Sequence, residues 1–241
     1  MRPSIFLFLG FCAAALAGCA SAGDMEALEN NDPLEPFNRA VSSFNDRVDE
    51  NVAVPLARAY SRILPEIVRN GIQHFIYNTE LPITFANDIL QFAPVRASQT
   101  LARFAVNSTI GLGGLFDPAT GFKIPDHRED FGQTLGFYGV GEGPYLVLPF
   151  LGPAPPRDVA GRVADIFFDP LTYSGLREAA WWGAGREAAD LIDTRARNID
   201  SLAALRAGSL DFYATIRSIY RQYRDAEIQN SSGTPEDLPN F

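Results

Sequence analysis

Two histidines, a run of acids and two glycine-rich stretches are the places where this 241-residue chain can carry chemistry. His74 and His127 are far apart, and no Gly-x-Ser-x-Gly elbow supplies a nucleophile for either to activate. His74 falls on the polar face of an expected helix and should meet solvent. His127 sits in Pro-Asp-His-Arg-Glu-Asp, a charged turn ahead of a helix. Asp126, Glu129 and Asp130 cluster, but a catalytic zinc takes three protein ligands, usually with closely spaced histidines. Acids in the first turn of a helix answer the helix dipole without any metal. Gly111-Leu-Gly-Gly lacks the Gly-Lys-Ser/Thr ending of a phosphate loop. Gly139-Val-Gly-Glu-Gly-Pro is not followed by a suitable helix start, so these glycines are expected to allow tight turns or close backbone approach. No catalytic residue, metal ligand or cofactor is expected.

The remaining chemistry is in the cysteines. Cys12 lies in an apolar stretch, Ile5 to about Ala17, that follows the single charge of Arg2. A short basic start and an apolar core of about 7–15 residues make a secretory signal. The stretch is too short for the ~20 apolar residues of a spanning helix. It closes on Leu16-Ala17-Gly18-Cys19, which resembles the lipobox of bacterial lipoproteins, where the thiol receives a diacylglycerol. The expected organisation is a signal at 1–18, lipidated Cys19 on a small, polar, acidic tether to residue 31, a folded body over 32–228, and a disordered tail at 229–241. With Cys12 removed and Cys19 acylated, no thiol remains for a nucleophile, a disulfide or a thiolate metal site.

Charge narrows the partners. The formal net charge is −9, and loss of Arg2 with the signal makes it about −10. Such a chain is a poor nucleic-acid ligand and is not a polybasic membrane binder. If it sits on a membrane, apolar surface and lipid anchor must hold it there. The basic residues are nearly all arginine, with Lys123 the only lysine. A GC-rich genome and recognition of phosphate by arginine's planar fork both account for this.

The elements that must position these residues are mostly helices. Pro33, Pro55, Pro65, Pro82, Pro94 and Pro156 each stand near an expected helix start, where the missing N–H costs nothing. Asp32 is the expected N-cap of the first helix. Leu34, Phe37, Val41, Phe44, Val48 and Val52 then form one apolar stripe over about five turns, opposite Glu35, Asn38, Arg39, Ser42, Asp46 and Asp49. Val68, Ile72, Phe75 and Ile76 mark a second helix, with Tyr77 on its polar side. Further helices are expected at 81–91, 94–110, about 176–207 and about 210–228. Between Gly111 and Pro156 the chain is rich in glycine and proline, and Leu146-Val147-Leu148 reads as a short extended segment. The fold class is mainly α: one domain of amphipathic helices with a Gly/Pro-rich connection. Eighteen phenylalanines occur without any segment long enough to cross a bilayer, which suits either a packed core or helices lying in a membrane interface.

Three ordered segments, Asn31-Asp-Pro-Leu-Glu-Pro-Phe-Asn-Arg39, Arg103 to Pro118 and Glu129 to Pro153 followed by Arg157-Asp158, resemble the signatures of the MlaA (VacJ) lipoproteins. Ser218 to Arg224 is similar to that family's C-terminal stretch. The resemblance implies a ring of amphipathic helices in the inner leaflet of the outer membrane around a polar-lined channel. Phospholipids misplaced in the outer leaflet would pass through it to a soluble periplasmic carrier, MlaC, that serves an ATP-driven inner-membrane complex. Trimeric porins are the implied membrane partners, and Ala20 after Cys19 agrees with outer-membrane sorting. Family-motif positions expected on the lipid path or channel are Asp32, Pro33, Phe37, Asn38, Phe44, Asn45, Asn107, Gly111, Gly113, Gly114, Phe131, Gly132, Gly136, Gly139, Gly141, Gly143, Pro144, Pro149, Gly152, Arg157 and Asp158. Phe37 and Phe44 would touch lipid or neighbouring helices, Asn38 and Asn45 something polar. The 136–152 segment would form or gate the channel wall, or simply supply turns. Arg157 and Asp158 would bind a headgroup phosphate or pair with each other. A phospholipid hydrolase and a porin-associated scaffold that moves no lipid are the competing readings.

Overall fold

The computed structural model describes residues 31–173 and 179–230. The expected signal, the expected lipidation site, most of the expected tether and most of the expected tail lie outside the described residues. Asn31 is already part of the fold, its side chain donating to the Gly143 carbonyl at 2.8 Å.

The first stripe forms α1 (Glu35–Val48), a π-helical turn (Asp49–Ala53) and α2 (Val54–Ile63). Pro36, not Pro33, occupies the first turn of α1, and Leu34 is the N-cap without a side-chain hydrogen bond. Asp32 is therefore not the cap, because its carboxylate is turned inward to other partners. Pro55 and Pro94 sit in the first turns of α2 and α4 (Pro94–Thr109), and Pro65 caps α3 (Glu66–Leu90). Pro82 starts no helix: it lies inside α3, which runs unbroken for 25 residues. An internal proline removes one backbone hydrogen bond at a cost of about 3 kcal/mol; the extensive packing of α3 along α4 outweighs it. The short α5 (Pro118–Gly121) and α6 (Phe131–Phe137) follow. The extended segment becomes an antiparallel hairpin, β1 (Val147–Leu148) with β2 (Gly152–Pro153), Val147 opposite Pro153. Then come α7 (Pro156–Phe168), a 3₁₀ turn (Pro170–Tyr173), α8 (Ala179–Arg197), α9 (Ile199–Gly208) and α10 (Phe212–Asn230).

The packing closes on itself. α2 lies on α8, α8 on α3, α3 on α7, α7 on α6 and α6 on α10. α10 then returns to the start of α1 through Arg217, which reaches Asp32 just ahead of the helix at 2.6 Å and Glu35 in its first turn at 3.4 Å. The tightest crossing is at Gly132 and Gly161: a Cβ on Gly161 would stand 2.3 Å from the Gly132 backbone nitrogen, so only glycine lets α7 approach α6 this closely.

Burial is reversed relative to a protein packed for water. Buried polar and charged residues outnumber buried hydrophobic ones, and the core holds Asp32, Asn38, Asn87, Asp88, Arg103 and Asn107. Large apolar side chains face outward instead, among them Ile63 (73% exposed), Ile67 (72%), Phe92 (83%) and Trp181 (78%). So many exposed large apolar side chains are uncommon on a soluble monomer. No helix among the described residues is long and apolar enough to cross a membrane.

Candidate functional site

Asn38 and Asn45, seven residues apart on α1, are two turns apart on one face. Asn38 is fully buried. Its amide nitrogen donates to Asp32 Oδ1 (2.8 Å) and to the Tyr145 carbonyl (2.9 Å), and its Oδ1 accepts from the Val147 N–H (2.9 Å). Asn45 repeats the pattern one step along, donating to the Leu148 carbonyl (3.0 Å) and accepting from the Phe150 N–H (2.8 Å). The polar partner expected for both asparagines is thus the backbone of the 145–150 segment. The two side chains act as a surrogate strand that docks the hairpin on α1. Asp32 holds the other end: Tyr213 and Arg217 donate to its Oδ2. Phe37 and Phe44 stay on the outside, both partly exposed, and Phe44 meets Phe150 edge to face at 5.3 Å.

A cavity of about 190 Å³ opens between α1, the hairpin, α9 and α10. Ser42, Asn45 and Asp46 of α1 and Asp49 of the π turn contribute polar groups to its lining, and Leu202, Phe212 and Ile216 contribute apolar ones. Arg206 stands at its edge, bound to Asp46 at 2.6 Å and to Glu50. A cavity lined by both apolar and charged side chains suits a molecule that has both a tail and a head, because an unpaired charge in an apolar environment is very costly.

The other motif residues build the frame. Arg157 and Asp158 pair with each other at 3.0 Å in the core, where Arg224 also reaches Asp158 (3.0 Å) and Asp130 (2.8 Å) and Tyr220 donates to Asp158. Arg103 donates to the Ile124 carbonyl (2.6 Å) and to Asp117 (2.8 Å). Asn107 bridges Asp117 and the Ala119 N–H. Together they clasp the loop containing Gly111, Gly113 and Gly114, where a Cβ on Gly114 would collide with Asn78 at 2.4 Å. Phe131 opens α6 with its ring 5.9 Å from Phe168, and Gly136 packs on Ile228. Gly139, Gly143 and Gly152 have positive φ. Gly141, Pro144 and Pro149 lie exposed along the same connection, and Pro33 in the turn before α1.

Contacts correct one expectation, for Tyr77, and give His127, in its expected place ahead of α6, its partners. Tyr77, assigned to the solvent side, is buried and donates to Asp126. His127 is not a free turn residue: its Nε2 lies 3.0 Å from both Asp88 oxygens and 3.2 Å from Thr100 Oγ1. A general base offers one ring nitrogen to the hydroxyl and the other to the orienting carboxylate. Here one nitrogen meets both, and Thr100 already donates to Asp88 at 2.7 Å, so the cluster joins α3, α4 and the 122–130 segment rather than forming a relay. Among the described residues no group of three His, Cys, Asp or Glu side chains is placed to hold a metal ion.

The family model for "MlaA lipoprotein" matches residues 30–227. The chain belongs to the MlaA lipoprotein family. The intermembrane phospholipid transport system lipoprotein MlaA of Escherichia coli (strain K12) is 37% identical over 233 residues, covering 93% of this chain and 89% of the relative. The protein of the same description from Haemophilus influenzae is 32% identical, covering all of this chain and 97% of the relative. A solved structure, described as the structural basis for maintenance of bacterial outer membrane lipid asymmetry, is similar at TM-score 0.75 and 38% identity, covering 82% of this chain and 98% of that one.

Motif reading of this MlaA-family chain missed Asn87, Asp88 and Asp165, and gave Arg224 a place in a family stretch but no role. Each is an ordinary polar residue in a helix, and only its burial gives it a role. Burial pushes Asp165 up to about 6, against hydrogen bonds from Asn87 and the Phe131 N–H that favour its charged form. The folded chain therefore holds this proton more tightly than the unfolded chain, and stability from this group falls as pH rises from about 4 to about 6. Asp165→Asn, whose carbonyl oxygen can still accept both hydrogen bonds, should flatten that slope and be more stable than the parent above pH 6. Melting temperature against pH checks it; an unchanged slope refutes the assignment.

Proposed function

We propose that this MlaA-family lipoprotein lies in the periplasmic leaflet of the outer membrane, held by acylated Cys19 and its apolar outer surface. It takes phospholipids misplaced in the outer leaflet along its polar interior and delivers them to a soluble periplasmic carrier of the MlaC kind, beside trimeric porins. The observation that carries the reading is the reversed burial: oily side chains outside, charged and amide side chains inside, on helices unable to span. A closed circuit of such helices can rest in hydrocarbon while sheltering a charged headgroup. The E. coli relative's description as a phospholipid transport lipoprotein supports the substrate class. Transfer breaks no bond, so it requires no nucleophile.

The test is outer-leaflet phospholipid in the native host. Deletion should raise it, the parent gene should restore it, and Cys19→Ala should not. If deletion leaves surface phospholipid unchanged while envelope integrity falls, a porin-associated scaffold replaces transport.

A further inference from the structure

We propose that the outward face of α2 is a binding strip for anionic phospholipid headgroups, with Arg58 and Arg62 as the contacting groups. The proposal rests on the membrane-interface reading above and names the lipid class met at one stretch of that interface.

α2 runs Val54–Ile63 and contains two arginines and no acid. Its inward side is defined: Ala57 is fully buried, Tyr60 donates to Asp193 at 2.9 Å, and Ser61 turns back to the Ala57 carbonyl. Arg58 and Arg62 are exposed, one helical turn apart. Leu56 and Ile63 are exposed beside them, and Ile67 and Val68 continue the apolar row into α3. Neither guanidinium has an ion pair among the described residues. The nearest acids before α2 are engaged elsewhere: Asp49 binds Arg195 at 2.7 Å and Glu50 binds Arg206.

Most other arginines among the described residues reach a carboxylate, although Arg47, Arg69 and Arg162 also make no ion pair. α4 also carries two arginines and no acid, yet Arg96 and Arg103 each reach a carboxylate on another segment, Glu129 and Asp117. Like charges one turn apart repel, so Arg58 and Arg62 gain most from an external anion. Their aliphatic stems can lie along the apolar row while the charged ends stay at headgroup level. An apolar row flanked by cations is the pattern of a helix in an anionic interface. The overall charge of −9 hides it, because most other arginines are cancelled within the fold.

The lipidated full-length chain is purified in a non-ionic detergent, and its melting temperature is followed as phosphatidylglycerol or phosphatidylcholine is added to the micelles. Phosphatidylglycerol should stabilise at lower concentration than phosphatidylcholine. Its midpoint should rise about fivefold for each arginine removed in Arg58→Gln and Arg62→Gln, and phosphatidylcholine should act alike on all three proteins. Equal response to both lipids overturns the headgroup preference and leaves the interface reading intact. No response to either lipid defeats the interface reading itself. The same shift with glycerol phosphate alone overturns the lipid as the source of the anion. Both substitutions are on exposed side chains without partners, so the variants' starting melting temperatures should match the parent's.

Discussion

Asp158→Ala should lower stability by about 3–5 kcal/mol. The carboxylate is buried and accepts from Arg157, Arg224 and Tyr220. Removing it leaves two guanidinium groups in the core with too little negative charge, and an uncompensated buried charge costs far more than an ion pair contributes. Arg224 would keep Asp130 and Glu227, whereas Arg157 has Asp158 as its recorded ion-pair partner. The contacts join α6, α7 and α10, so the loss should appear as cooperative unfolding rather than fraying. Denaturant titration in detergent, followed by helical circular dichroism, measures it. pH supplies an independent check. Burial alone would raise the Asp158 carboxyl, but hydrogen bonding and charge from Arg224, with Tyr220 and Arg157, hold it below the ordinary value. Its contribution is therefore present above about pH 4 and lost as pH falls through the folded value. The alanine variant should lack that acid-side loss. A change of less than 1 kcal/mol would mean that the cluster does not hold the helices together.

Asn38→Leu should cost about 3–5 kcal/mol and release the hairpin from α1. Leucine fits the volume approximately, so the loss comes from hydrogen bonding. The Val147 N–H, the Tyr145 carbonyl and Asp32 Oδ1 each lose a partner in a buried site, at about 1–3 kcal/mol for a stranded group, less where another partner or water takes over. Asn45→Leu removes two hydrogen bonds nearer the surface and should cost less. The signature of the model is positional: amide exchange at Val147 and Phe150 should accelerate more than exchange in α3 or α4. Uniform acceleration would mean global loosening and would sink the idea of a docked hairpin. In cells the same variant should fail to restore outer-leaflet asymmetry, since Val147 and Gly152 of the hairpin form part of the cavity wall.

The residues themselves state much of this. Period and punctuation give the helices of the first stripe, of 94–110 and of the C-terminal segment, because a period of three to four reports a helix with unlike faces whatever surrounds it. The lipobox expectation rests on four residue types in a row, Leu16 to Cys19, and on no tertiary contact. The ordered Gly/Pro motifs identify the family because each demands a particular backbone at a particular place, as at Gly114 against Asn78 and Gly143 at positive φ. What the period cannot state is which face is inside. Phe37 and Phe44 on one side of α1, and Asn38 and Asn45 on the other, would give the same pattern with either side buried. Only packing against the hairpin and α10 turns the amides inward and leaves the rings partly outside. The same limit explains Pro82, where contact along α4 sustains a helix that local rules would end. It explains Arg224, Asp130 and Asp158 as well, which lie up to 94 residues apart. Their charges cancel only when three helices meet, and no local signal marks a partner chosen by distance in space.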